Sequence, residues 1–372
     1  MLGIIAAGLT RRRRGDTLAA MALPAELVAA DASLHALHRQ IRFSAHLNPV
    51  NIPEARAAFF AGAAAPPFTY APATWAEEAR ATIDGLVIPG EHPLGVELAA
   101  AAAETRAFVD ALDLRTPEAF EALAETCDWL PTPDEVYEVP PPPTGQVSPE
   151  IGAERMLVTL RDALRRRGMG DWELSWDEVL ASRVLVDAAR RTVRVNPRAR
   201  FHEIERTSLV AHEIDVHATR GVNGERQGLH LFALGLARSL LAEEGLAVLA
   251  EERVRALPPG FETTHSLFVR AVALAEDMGF RELWDVFAPE IGVTGAWQVA
   301  LRVKRGLADP ARPGRYAKDT VYLRGYRRTK AWLAAGGDLA HLYVGKVGLH
   351  HPVGDWIREG WITPGPVPTM WG

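Results

Sequence analysis

One stretch, Leu209-Val210-Ala211-His212-Glu213-Ile214-Asp215-Val216-His217, holds the residue types that hydrolytic metal chemistry needs. Two imidazoles offer neutral nitrogen donors to a divalent ion such as zinc, and a carboxylate follows the first of them. In the common zinc-peptidase signature, H-E-x-x-H, the rings stack on one helix face and the Glu takes a proton from water at the metal. The pattern here is H-E-x-x-x-H, and residues five apart lie about 140° apart around a regular α-helix. The two rings converge on one ion if the helix is locally widened to a π-turn, or if His217 sits in a final turn that leaves α geometry. Gly221 is a candidate helix stop for the second arrangement. A catalytic zinc usually takes three protein ligands and keeps one position open. Downstream, Glu243 and Glu244 head the otherwise apolar run Leu241–Ala250, where a carboxylate without a cation is costly to bury. Both also suit the positive end of a helix beginning near Ser239.

H-E-x-x-x-H followed by Glu243-Glu244-Gly245-Leu246-Ala247 resembles the tyrosine carboxypeptidase-like metallopeptidases, relatives of the microtubule-associated tyrosine carboxypeptidases. Bacterial members of that family are labelled by a Q-E-G-L-A motif and a supposed effect on flavohaemoglobin expression. Further stretches carry the same resemblance: Leu47-Asn48-Pro49-Val50-Asn51, Phe68-Thr69-Tyr70, Asn223-Gly224, Lys318-Asp319-Thr320-Val321-Tyr322-Leu323-Arg324-Gly325 and Val344-Gly345-Lys346-Val347. It extends over about residues 40–372. By motif position the resemblance implies that His212, His217 and Glu244 hold one Zn2+ per chain and that Glu213 is the catalytic base. Glu243 stands where the family has Gln, which adds a negative charge beside the implied ligand. The implied activity is metal-dependent removal of a C-terminal residue, aromatic (Tyr or Phe), from a peptide or protein. Tyr322 is then a candidate to assist the oxyanion, and Arg324, Lys318 or Arg327 a candidate cation for the terminal carboxylate. Asp215 is read either as solvent-facing or as supporting a ligand.

These residues need elements to position them. The expected class is α+β, predominantly helical, a zincin-like metallopeptidase with a small sheet. Residues 1–25 are uninformative, 26–130 form an N-terminal helical region, 131–149 a proline-rich connector and 150–372 the zincin-like catalytic region. Helices are expected from the spacing of Leu27, Leu34, Leu37 and Ile41, and over Ile52–Phe60, Leu94–Leu112, Pro117–Cys127 and Glu150–Arg167. Alternation in Trp172–Trp176, Val184–Val186 and Val193–Val195 predicts a small antiparallel sheet, the last two runs forming a hairpin. That hairpin is the candidate edge for a substrate backbone, by analogy with other zinc peptidases. From Glu205 to Glu252 the chain is expected to be helical, interrupted at Gly221-Val222-Asn223-Gly224.

Composition narrows the alternatives. The 372 residues include 41 basic and 47 acidic side chains, a net charge of −6 that gives no basic footprint for nucleic acid. The apolar stretch Met1–Leu9 precedes its basic cluster Arg11–Arg14, the reverse of a secretory signal, and no run is long enough to span a bilayer. A single cysteine, Cys127, cannot form an internal disulfide, so a reducing cytoplasm is expected and no membrane partner. Two rival functions share the pattern: a metal-binding regulator without turnover, and a zinc endopeptidase or amidase. An intact Glu213 favours turnover, and a cation closing the site one residue beyond the metal favours exopeptidase action.

Overall fold

In the computed structural model, the described residues are 22–136 and 149–372, apart from 179, 181 and 259. The proline-rich connector expected over 131–149 falls mostly on 137–148, outside the described residues, as does most of 1–25. Helices make up 59% of the structure and two small sheets accompany them, in keeping with a predominantly helical α+β class.

The N-terminal part contains the helices Ala25–Gln40, Phe43–Leu47, Ile52–Phe60, Ala76–Asp84, Pro93–Leu114 and Pro117–Thr126. Their starts obey simple chemistry: Pro93 and Pro117 sit where a missing N–H is harmless, and the Thr116 hydroxyl accepts from Ala119 N at 3.2 Å. These helices have no separate core. Leu34 and Leu98 pack into the same cluster as Ala211, Leu246 and Tyr343, and Phe59 and Phe120 into one with Phe280, Trp297 and Val321. The N-terminal region therefore shares its core with the later residues.

The strands are β1 Glu150–Gly152, β2 Glu173–Trp176, β3 Val184–Asp187, β4 Thr192–Val195 and β5 Arg200–His202. β3 and β4 form the expected hairpin, pairing Val184 with Val195 and Asp187 with Thr192. The expectation of a wholly antiparallel sheet is corrected: the order is β2-β4-β3, and β2 runs parallel to β4. β4 takes the centre because Val193 and Val195 are the most deeply buried apolar residues of the three strands. This leaves β3 as an edge, packed beside the segment that carries His212. The helix expected from Glu150 begins at Ala153, since Glu150–Gly152 pairs with β5.

The interruption expected at Gly221–Gly224 does not occur, and the helix Thr219–Glu225 runs through it. These glycines serve close packing instead. A Cβ at Gly221 would lie 2.7 Å from the Ala188 Cβ, and one at Gly224 would lie 2.2 Å from the Phe232 carbonyl oxygen. The same logic fixes the crossing of the helices Leu240–Arg253 and Val321–Ala334, hereafter the carboxylate helix and the tyrosine helix. A Cβ at Gly245 would sit 2.2 Å from Gly325 O, and one at Gly325 would sit 2.2 Å from Leu241 O. Backbone atoms cannot give way as a side-chain tip can. Gly245→Ala is therefore expected to lower unfolding stability by about 3 kcal/mol, the upper end for an overpacked core. Equilibrium denaturation measures this, and a change below about 0.5 kcal/mol, as at an ordinary surface site, would contradict the crossing. No helix among the described residues is long and apolar enough to cross a membrane.

Candidate metal centre

Val210–Ala218 is a π-helix, the first of the two geometries that H-E-x-x-x-H permits. Its hydrogen bonds run between residues five apart, so His212 and His217 come to lie over one another. Their ring centroids are 4.8 Å apart with planes at 75°. Thr219 closes the turn, its backbone N–H and its hydroxyl both reaching the Ile214 carbonyl, the hydroxyl at 2.9 Å. Gly221 plays no part in stopping this helix.

The carboxylate helix supplies the third group. Glu244 Oε2 lies 3.5 Å from His212 Nε2 and 3.6 Å from His217 Nε2, and one ligand atom from each of the three residues falls within 4.8 Å of the others. Donors about 2.0–2.1 Å from a tetrahedral ion stand about 3.3–3.5 Å apart, so the two separations between Glu244 and the imidazoles suit such an ion. Among the described residues it is the one group of three or more such side chains that could hold a metal. The other Glu244 oxygen, Oε1, faces Lys318 Nζ at 3.6 Å. Burial alone would raise the Glu244 carboxyl. Hydrogen bonds with His212 and His217, then the Lys318 charge, hold it well below its usual range, so it is an anion.

Both imidazoles turn their other nitrogen to a carboxylate of the same helix. His212 Nδ1 is 2.6 Å from Glu251 Oε1, and His217 Nδ1 is 2.7 Å from Glu243 Oε1. A carboxylate there keeps the proton on Nδ1 and leaves the Nε2 lone pair for a cation. Glu243 is thus not a second donor to the same point; it orients His217. Its own charge is matched by Arg220, which is 0% exposed, and by Lys346 Nζ at 3.5 Å. Burial alone would raise the Glu243 carboxyl, yet Arg220, then Lys346 and His217, bring it down to about 2. Arg220 is fixed in turn by the carbonyls of Gly345, at 3.0 Å, and Val347, at 2.7 Å. Asn223 Nδ2 donates to Tyr343 O at 2.7 Å and Lys346 N to Phe232 O at 2.7 Å. The Asn223-Gly224 and Val344–Val347 stretches therefore meet beneath His217 and hold it through Arg220 and Glu243.

Glu251→Gln is expected to weaken metal binding by about 10–100-fold with the fold intact. Chelator competition reads this, and an unchanged affinity would show that Glu251 does not set the His212 ring.

The other expected residues separate into those at the site and those away from it. Glu213 is buried on the π-helix next to His212. Tyr322 heads the tyrosine helix; burial above all, then the Glu244 charge, keeps its phenol protonated well above the usual range, with Glu213 contributing. Lys318 touches Glu244. Arg324 is a correction: it is buried and committed elsewhere, its Nε to Glu135 at 2.7 Å and its Nη1 to the Asp128 carbonyl at 2.9 Å. One residue type on a helix face could not reveal which side that face presents. Arg327 pairs with Glu262 on the surface. Asp215 is buried and bound by Arg167, whose Nη2 lies 2.7 Å from Oδ2, so neither reading of it as solvent-facing nor as touching a ligand histidine holds.

A cavity of about 370 Å³ adjoins the centre through Lys318 and Tyr322, within the usual range of roughly 300–1,000 Å³ for a small-ligand pocket. Phe43, Phe108, Trp129 and Tyr316 line it, and Leu185 of the edge strand β3 forms part of its wall. Arg302 and Arg305 enter the same space. Reading the sequence missed Glu251, Arg220, Arg302 and Arg305. Glu251 had a usable signal, since it lies two helical turns after Glu244 on the same face. The arginines had none, because their partners come from distant segments.

The sequence profile of the family described as "Microtubule-associated tyrosine carboxypeptidase" matches residues 140–371. "Microtubule-associated tyrosine carboxypeptidase 1" of Mus musculus is 33% identical over 179 residues, which are 46% of this chain and 38% of the mouse protein. The protein of the same name from Homo sapiens is 33% identical over 164 residues, 42% of this chain and 34% of the human one. The chain matches well under half the length of these relatives.

Proposed function

This chain belongs to the microtubule-associated tyrosine carboxypeptidase family, and from that premise and the geometry we propose a zinc-dependent carboxypeptidase that removes a C-terminal aromatic residue, Tyr or Phe, from a peptide or protein. The observation that carries the proposal is the convergence of His212, His217 and Glu244, with Lys318, which touches Glu244, lining a neighbouring cavity of about 370 Å³. The zincin-like character is proposed on related grounds: the metal-bearing helix lies against the edge strand β3, whose free side suits an extended substrate. A cytoplasmic setting is proposed from the single free, buried Cys127.

In this reading His212 and His217 bind through Nε2 and Glu244 through Oε2. A bound zinc supplies Lewis acidity that polarises a carbonyl and lowers the pKa of water towards about 7. Glu213 takes the proton that water loses as the carbonyl is attacked and passes it to the departing amine. Tyr322, kept protonated, donates to the oxygen on which charge develops. Lys318 balances the outer oxygen of Glu244, which keeps the inner oxygen directed at the two imidazoles. Glu243 and Glu251 hold the rings in place throughout.

The test incubates zinc-loaded protein with peptides ending in Tyr and follows products by mass spectrometry. Loss of a single terminal residue is expected. Internal fragments would favour an endopeptidase, and one bound zinc with no product would favour a metal-binding regulator without turnover.

A further inference from the structure

A phenol that donates to one developing charge has to be aimed, yet among the described residues the Tyr322 hydroxyl makes no hydrogen bond within the chain. Packing of its ring therefore sets its direction. The aromatic ring packed on it is His265, on the helix Phe261–Leu274, with centroids 5.3 Å apart and planes at 56°. This contact belongs to a wider interlock. Phe261 and His265 stand one turn apart on their helix, and Tyr322 and Tyr326 one turn apart on the tyrosine helix, so each pair shares a face. Phe261 meets Tyr326 at 5.6 Å with planes at 72°, and it lies 4.2 Å from the His265 ring with planes at 33°. The two contacts between the helices fall within the roughly 4.5–7 Å at which aromatic rings attract.

The two tyrosines differ at their hydroxyls. Tyr326 Oη accepts from Lys330 Nζ at 2.9 Å, and Lys330 in turn holds Glu252 at 2.8 Å, so that ring is fixed from its own end. Tyr322 has His265 instead. His265 is itself firmly placed. Its Nδ1–H donates to the Phe261 carbonyl at 2.9 Å, which sets the tautomer and the ring plane. Phe268 packs on it from the next turn, 6.1 Å between centroids. Burial above all lowers the imidazole below its usual value, the Arg302 charge adding to this while Asp319 and Glu251 oppose it. An uncharged, rigid ring thus lies against the phenol that lines the cavity beside the metal centre.

We infer that His265 is a positioning residue, whose ring aims the Tyr322 hydroxyl at the oxygen on which charge develops. The inference rests on the carboxypeptidase reading, in which Tyr322 is the donor, and deepens it by naming what holds that donor. His265 sits far from Tyr322 in the chain and in no motif, so only the packing of the two helices brings it to the site.

The experiment compares zinc-loaded parent, His265→Ala, His265→Phe, Tyr322→Phe and the double variant His265→Ala with Tyr322→Phe on a peptide ending in Tyr. Tyr322→Phe is expected to lower kcat about 100-fold, as for loss of one oxyanion donor. His265→Ala is expected to lower kcat about 10- to 100-fold, as for a reacting group misplaced by about an ångström, with KM and zinc content at the parental level. His265→Phe keeps a planar ring there and brings kcat back to within about threefold of the parent. On the Tyr322→Phe background His265→Ala costs less than about a further twofold, because its effect passes through the phenol. Fluorine NMR of 3-fluorotyrosine-labelled protein reads the ring without turnover, the Tyr322 signal being the one absent from Tyr322→Phe. In His265→Ala that signal shifts and narrows as the ring is freed, while those of Tyr70 and Tyr343 stay. If the parent hydrolyses nothing and the signal still moves, the peptidase reading falls and the hold of His265 on Tyr322 stands. Melting temperature and zinc content identify a His265→Ala protein that fails to fold, in which case His265→Leu, which fills the space without a ring, takes its place. An unchanged kcat or Tyr322 signal, a kcat loss that adds in full to that of Tyr322→Phe, or a His265→Phe protein as slow as His265→Ala overturns the inference.

Discussion

Glu213→Gln is expected to lower kcat/KM on a Tyr-terminated peptide by at least about 10²–10⁴-fold, the range for a positioned general base, while zinc content stays at the parental level. Gln has the shape of Glu but cannot carry a proton between water and a leaving amine. Glu213 is outside the trio that converges, since Glu244 and the two Nε2 atoms fill that role. Loss of turnover with retained metal thus separates the base from the ligands. The effect is measured by steady-state kinetics beside elemental analysis, and unaltered hydrolysis would remove Glu213 from the mechanism.

The second large effect concerns Glu243, which orients His217. Glu243→Ala would strand Arg220, fully buried, and Lys346 without their carboxylate. Breaking a buried ion pair from one side typically costs about 3–5 kcal/mol, so the variant is expected to lose that much stability and to bind metal poorly because His217 is released. Glu243→Gln is expected to behave differently. Its amide oxygen can still accept from His217 Nδ1, so metal affinity falls by no more than the about 10–100-fold of an outer-sphere partner. Denaturation midpoints and chelator competition on the two variants test this together. Equal stability of Glu243→Ala and the parent would show that Arg220 does not depend on Glu243.

The pair His212 and His217 is a candidate from its five-residue spacing, which brings two rings together only where the helix leaves α geometry, as this π-helix does. The choice between Glu243 and Glu244 could not be made that way. Adjacent helical residues point about 100° apart, and which one faces the histidines depends on how the carboxylate helix crosses the tyrosine helix. That crossing is set by Gly245 against Gly325, two glycines far apart in the chain. The strands were legible from alternation, yet the parallel pairing of β2 with β4 was not, since period-two patterning carries no direction. Glycines in a helical run misled where they serve contact rather than turning, as at Gly221 and Gly224. Arg324 misled for a similar reason: its neighbours Asp128 and Glu135 come from the N-terminal part, and no local pattern announces them.

Anomalous scattering from crystals of the zinc-loaded protein, recorded on both sides of the zinc edge, is the most direct measurement. One peak per chain is expected about 2.0–2.2 Å from His212 Nε2, His217 Nε2 and a Glu244 carboxylate oxygen. A peak bound elsewhere, or bound by Glu243 in place of Glu244, would contradict the site on which the proposed hydrolysis depends.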